Sequence, residues 1–184
     1  MWGGNVKIKH IFSVLLLSIV SIFTLASCGG IKSVSSLYKA QGIDLPKDNV
    51  YENIELDNLS NIIKSTKDNL VYVFYGDAEN FDSKTAITII NNQAKQFNVD
   101  KVYYLDAHNY NTASKRPEVK SKVLINDPSY VPTIIVYKDN QVIFDLSKET
   151  DREGFLGEDK GKLDYNKISG FIFRDECVKP EVEQ

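Results

Sequence analysis

The sequence predicts an α/β domain built on a mixed sheet flanked by helices. Leu70–Tyr75 is almost wholly β-branched or aromatic, the pattern of a strand buried on both faces, and Val102–Asp106 is again buried in character. Between them Ala86, Ile87, Ile90, Ala94 and Phe97 recur at helical spacing and define one apolar face. A third run, Ile134–Lys138, leads through Asp139-Asn140 into Gln141–Asp145. Asp and Asn tolerate positive φ, so this junction reads as a tight hairpin. A strand–helix–strand unit requires a parallel pair with a crossover, and the hairpin adds antiparallel strands at one edge.

The remaining elements follow in chain order. Val50–Ile54 suits a short strand, and Asp57 is placed to cap a helix running through Leu59, Ile62 and Ile63 to Lys67. The stretch 107–130 is polar, with a short helix near 118–124, and 147–163 is a charged, glycine-containing loop. Tyr165, Ile168, Phe171 and Ile172 mark a last short helix. Tyr103, Tyr104 and Tyr137 are sheet-face or core residues. No internal repeat is present.

The N-terminus has a different character. Lys7 and Lys9 precede an uncharged stretch, Ile11–Ala26, dominated by Leu, Ile, Val and Phe. That is the length of a signal-peptide core and short for a membrane span. It ends in Leu25-Ala26-Ser27-Cys28, which resembles the bacterial lipobox, where the cysteine is acylated and becomes the new N-terminus. The resemblance implies a removable signal over 1–27, a lipid on Cys28 and a location on the extracytoplasmic face of the cell membrane. An ordinary secretory signal, or an anchor helix with an incidental cysteine, is the alternative. Residues 28–49, polar and broken by Pro46, read as a tether. A domain over 50–175 and a tail over 176–184 complete the organisation.

Charge and cysteine count narrow the chemistry. Cleavage removes Lys7 and Lys9, which leaves 20 of the 22 Lys+Arg against 25 Asp+Glu. A mildly acidic chain without a basic stripe has no electrostatic footprint for nucleic acid. With Cys28 reserved for lipid, Cys177 has no cysteine with which to close an internal disulfide. Neither a glycine-rich phosphate loop nor a Ser-His-Asp set is present, and no cofactor or metal is expected. His108 has no second histidine near it in sequence and reads as a surface-loop residue. Trp2 leaves with the signal.

A buried strand ending Phe74-Tyr75-Gly76-Asp77-Ala78, followed by a helix, and Val131-Pro132-Thr133 opening the hairpin, together resemble a thioredoxin. The strand ending Tyr103-Tyr104-Leu105-Asp106 is most similar to the thioredoxin-like bacteriocin transport accessory proteins. The resemblance spans about residues 50–175. It implies a cis bond before Pro132, facing the redox motif across a shallow groove, whereas the base rate for any X–Pro bond is trans. Where the family has Cys-x-x-Cys, this chain has Glu79-Asn80-Phe81-Asp82. Thiol exchange needs a nucleophilic thiolate and a second, resolving sulfur, and carboxylates supply neither. The expectation is a non-redox domain with no catalytic residue.

Asp77, Glu79 and Asp82 have three readings: capping of the following helix, a weak cation site, or a carboxylate pair for glycoside hydrolysis. Val131, Pro132 and the Asp77–Asp82 turn form the expected binding surface, able to hold an extended protein or peptide by main-chain hydrogen bonds. Two other roles remain: a one-cysteine thiol partner acting through Cys177, and, by family analogy, export of or immunity to a secreted peptide.

Overall fold

The computed structural model describes residues 32–157, 162–174 and 177. Cys28, the signal segment and most of the expected tail lie outside the described residues. The domain opens with helix α1 (Val34–Lys39), then strand β1 (Tyr51–Asn53) and helix α2 (Leu56–Ser65). Strand β2 (Val71–Gly76), helix α3 (Phe81–Gln96) and strand β3 (Val102–Asp106) follow. After two short helices, α4 (Ala107–Tyr110) and α5 (Arg116–Val123), come β4 (Thr133–Lys138) and β5 (Gln141–Asp145). A short helix α6 (Glu149–Arg152), a 3₁₀ turn (Glu153–Phe155) and helix α7 (Tyr165–Phe173) close the chain.

The sheet has the order β1-β3-β2-β4-β5. β3 is parallel to both β1 and β2, while β2–β4 and β4–β5 are antiparallel. This is the α/β arrangement expected from the sequence. Asp139 and Asn140 adopt φ of 50° and 63°, as the hairpin requires.

Alternation along the strands divides the core between two faces. Phe74, Tyr104, Ile134 and Val136 meet α1, α3 and α7 on one side. Val73, Tyr75, Leu105 and Ile135 meet α2 and α5 on the other. A period of two in the strands makes this three-layer packing possible, because each strand must satisfy two apolar partners. Among the described residues no helix is long and apolar enough to cross a membrane.

Four boundaries differ from expectation. Helix α2 has Glu55 at its N-cap position, without a side-chain cap hydrogen bond, and ends at Ser65, with Asp57 inside its first turn. Leu56 is 3% exposed, and its burial draws the helix start forward of Asp57. The tether over 28–49 is corrected over its described part. Val34, Tyr38 and Leu45 belong to the core, and the Ser33 side chain caps α1 by accepting from the Ser36 N–H. The loop over 147–163 holds α6 and the 3₁₀ turn, and it buries Phe155 against Phe144 and Phe171. Cys177, placed in the tail by the sequence, is packed into the core at 5% exposure.

Candidate functional site

The parallel strands β2 and β3 end side by side, with Gly76 opposite Asp106. β4 runs the other way and starts with Thr133 opposite Tyr75. The residue before Thr133, Pro132, therefore lies alongside Gly76, where the Asp77–Asp82 turn begins. The Val131–Pro132 bond is cis, as the resemblance implies. Pro132 is buried and Val131 half-buried.

The turn is built by local hydrogen bonds. Asn80 Oδ1 accepts from the Ser83 N–H at 2.9 Å and is the N-cap of α3. Asp77 Oδ1 accepts from the Glu79 N–H at 2.8 Å, and Ser83 Oγ accepts from the Asp77 N–H at 3.2 Å. Of the three carboxylates expected to cap, Asp77 bonds the turn and Asp82 stands in the first turn of α3, but the cap itself is Asn80. Glu79 and Asp82 face solvent. Phe81, the first residue of α3, is 78% exposed. It lies out of phase with the buried Ala86, Ile87, Ile90 and Ala94 stripe, a signal readable in the sequence but passed over there.

The floor of the site is a stack of buried phenols. Tyr104 donates to the Gly76 carbonyl at 2.9 Å. Burial raises the Tyr104 and Tyr38 phenols well above the ordinary tyrosine value. The Tyr38 hydroxyl has those of Tyr104 and Ser83 as polar neighbours yet makes no well-aligned hydrogen bond. The Tyr75 hydroxyl and Thr133 Oγ1, both sealed from solvent, have no hydrogen-bond partner.

Two residues join the rim that sequence reasoning did not place there. Asp106 Oδ1 accepts from the His108 N–H at 3.1 Å, and Oδ2 accepts from Asn109 Nδ2 at 3.1 Å. Burial raises the Asp106 carboxyl above its ordinary value; the His108 N–H opposes this, and the Asp77 and Glu79 charges add to it. His108 Nδ1 is 3.8 Å from Asp77 Oδ2, so the histidine, exposed as expected, lies on the rim of the site. The end-to-end alignment of β2 with β3, both legible as strands, is the signal that could have brought them together. Next to Val131 in sequence, Tyr130 carries the Arg152 guanidinium on its ring, 4.5 Å from the centroid.

Among the described residues no cysteine lies at this site. Cys177 lies with Phe144, Phe155 and Phe171 beside a cavity of about 300 Å³, its Sγ 4.0 Å from the Ile172 carbonyl oxygen. No group of three or more His, Cys, Asp or Glu able to hold a metal occurs among the described residues. The arrangement offers an exposed ring and carboxylates.

The strand order, the hairpin and the cis-proline facing a helix start together define a thioredoxin-like α/β domain. Thioredoxin f2 of Chlamydomonas reinhardtii is 14% identical, with a TM-score of 0.40 over 50% of this chain and 79% of that one. A thioredoxin of Trypanosoma brucei brucei is 17% identical, with a TM-score of 0.40 over 56% and 83%. One from Entamoeba histolytica is 15% identical, with a TM-score of 0.40 over 68% and 94%. No protein-family model matches the chain, and no curated protein matches it.

Proposed function

We propose that this chain is a lipid-anchored, extracytoplasmic module that holds an extended protein or peptide segment without exchanging electrons with it. The segment lies in the groove between Val131–Pro132 and the Asp77–Asp82 turn. The observation that carries this reading is the cis Val131–Pro132 bond beside the Asp77–Asp82 turn, which contains no cysteine. Main-chain pairing along such a groove needs no sulfur. The similarity to bacteriocin transport accessory proteins suggests a secreted peptide as one class of occupant. The anchor rests on Leu25-Ala26-Ser27-Cys28 alone.

The test is selection of peptides from a displayed library against the folded domain, followed by fluorescence anisotropy. Enriched peptides should bind at least tenfold more weakly to Pro132→Ala and Val131→Asp variants that keep their circular dichroism. Failure to enrich any peptide, or unchanged binding by those variants, would overturn the reading. The chain should also leave the rate of insulin reduction by dithiothreitol unchanged. A thiol role through Cys177 requires that Sγ, 5% exposed, reach a partner. Rapid reaction of the native chain with a disulfide reagent would favour that role instead.

A further inference from the structure

We infer that the cavity beside β5 binds an uncharged aromatic molecule about the size of two fused rings. The cavity, about 300 Å³, shares no lining residue with the Asp77–Asp82 turn or with Val131–Pro132. The register of β5 explains why a space opens at this edge of the sheet. In a regular strand, consecutive side chains point to opposite faces. Ile143 and Phe144 are consecutive, yet both line the cavity. Val136 of β4 pairs with Phe144, but the next residue, Tyr137, pairs with Val142. Ile143 is therefore the extra residue of a β-bulge, and a bulge re-aims side chains in this way.

The walls are aromatic. Phe144, Phe155 and Phe171 each contact the other two, with centroids 5.9, 5.8 and 5.3 Å apart in edge-on or tilted geometry. Rings arranged like this present edges and faces to a further ring. An apolar cavity of about 150 Å³ walled by Leu, Ile and Phe holds benzene. This one has about twice that volume.

The polar groups at the rim are already engaged. Asp151 Oδ2 accepts from the Asp145 N–H at 3.0 Å, and Asp151 Oδ1 accepts from Thr150 Oγ1 at 3.4 Å. The Gly154 carbonyl, also at the rim, accepts from Lys167 Nζ at 2.7 Å. A well-held water needs two to four polar partners, so these walls favour an apolar occupant. One carboxylate and one ammonium beside the same rim favour neither sign of charge, and taking a charge out of water is costly. The bulge decides against a polypeptide strand. It interrupts the regular spacing of main-chain groups along β5, and the Asp145 N–H is taken by Asp151.

The experiment titrates the full-length chain in lipid nanodiscs with indole, with nanodiscs lacking the chain as the reference. Equilibrium dialysis should show saturable binding with a Kd of about 1 mM or tighter. Nuclear Overhauser contacts should join indole protons to the rings of Phe144, Phe155 and Phe171. Indole-3-acetate and tryptamine, the anionic and cationic counterparts, should bind at least about tenfold more weakly. A Cβ at Gly154 meets nothing within 4 Å, so a side chain can be added there without displacing a neighbour. Gly154→Leu should fill the opening and weaken indole at least about tenfold. No saturable binding, Overhauser contacts confined to other residues, or equal affinity for the charged counterparts would overturn the inference. So would unchanged affinity in a folded Gly154→Leu variant. Peptides that contact Phe155 and Phe171 while indole does not would assign the cavity to a polypeptide instead.

Discussion

Tyr104 donates a hydrogen bond to the Gly76 carbonyl at 2.9 Å, tying β3 to β2 where the chain leaves the sheet to form the Asp77–Asp82 turn. Neither the phenol nor the carbonyl can exchange this bond for water, since Tyr104 is fully buried. Tyr104→Phe keeps the ring contact with Tyr38 but leaves the Gly76 carbonyl without this donor. The expected loss of unfolding free energy is about 1–3 kcal/mol, measured by urea denaturation.

The same substitution at Tyr75 has the opposite sign. Its hydroxyl is buried and has no partner, so its desolvation is uncompensated. Tyr75→Phe removes that atom and keeps the ring. The protein should be unchanged or more stable by up to about 2 kcal/mol. A urea midpoint lower than that of the unmodified chain would contradict the orphaned hydroxyl.

Gly76 lies against the Phe74 ring. A Cβ at position 76 would stand 2.5 Å from Phe74 Cε1, and Phe74 is 0% exposed with little room to retreat. Gly76→Ala should destabilise by about 1–3 kcal/mol through overpacking. Pairing it with Phe74→Leu should recover part of the loss in a double-mutant cycle.

Asp106 supplies a pH dependence. Burial, with Asp77 and Glu79 nearby, raises its carboxyl in the folded state. A raised acid binds its proton more tightly folded than unfolded, so it penalises the native state once pH rises through the folded value. Below the ordinary carboxylate range the penalty is gone. Asp106→Asn keeps an oxygen for the His108 N–H and should stabilise at pH 7 by less than about 1 kcal/mol, because solvent screens a half-exposed group. The advantage should shrink on acidification, read from urea midpoints at neutral and acidic pH.

Tyr38 tests where the domain begins. If α1 were part of a spacer, Tyr38→Ala would be silent. With its ring at 0% exposure and edge-on to Tyr104, 5.9 Å between centroids, truncation should cost about 3–5 kcal/mol. Thermal and urea unfolding of the protein measure it.

Much of the scaffold was legible because its signals are local. Val71–Tyr75 and Val102–Leu105 announce buried strands by composition, Ala86 to Ala94 announce a helix by period, and Asp139-Asn140 announce a hairpin by turn chemistry. The absence of cysteine from the Asp77–Asp82 turn is likewise a property of the sequence. Position 80 shows the limit. Asp77, Asn80 and Asp82 are all capping residue types, and only the backbone path selects Asn80.

The sequence by itself determined which segments are strands and helices and which functional groups the chain lacks at the turn. Tertiary structure decided that Val34, Tyr38 and Leu45 are core, that Cys177 is packed beside phenylalanines, and that His108 stands beside Asp77. A six-residue helix with two buried side chains carries too little period to be distinguished from polar linker. The neighbours of Cys177 and His108 come from elements far away in sequence, and their proximity is set by strand order and register, which no local pattern encodes.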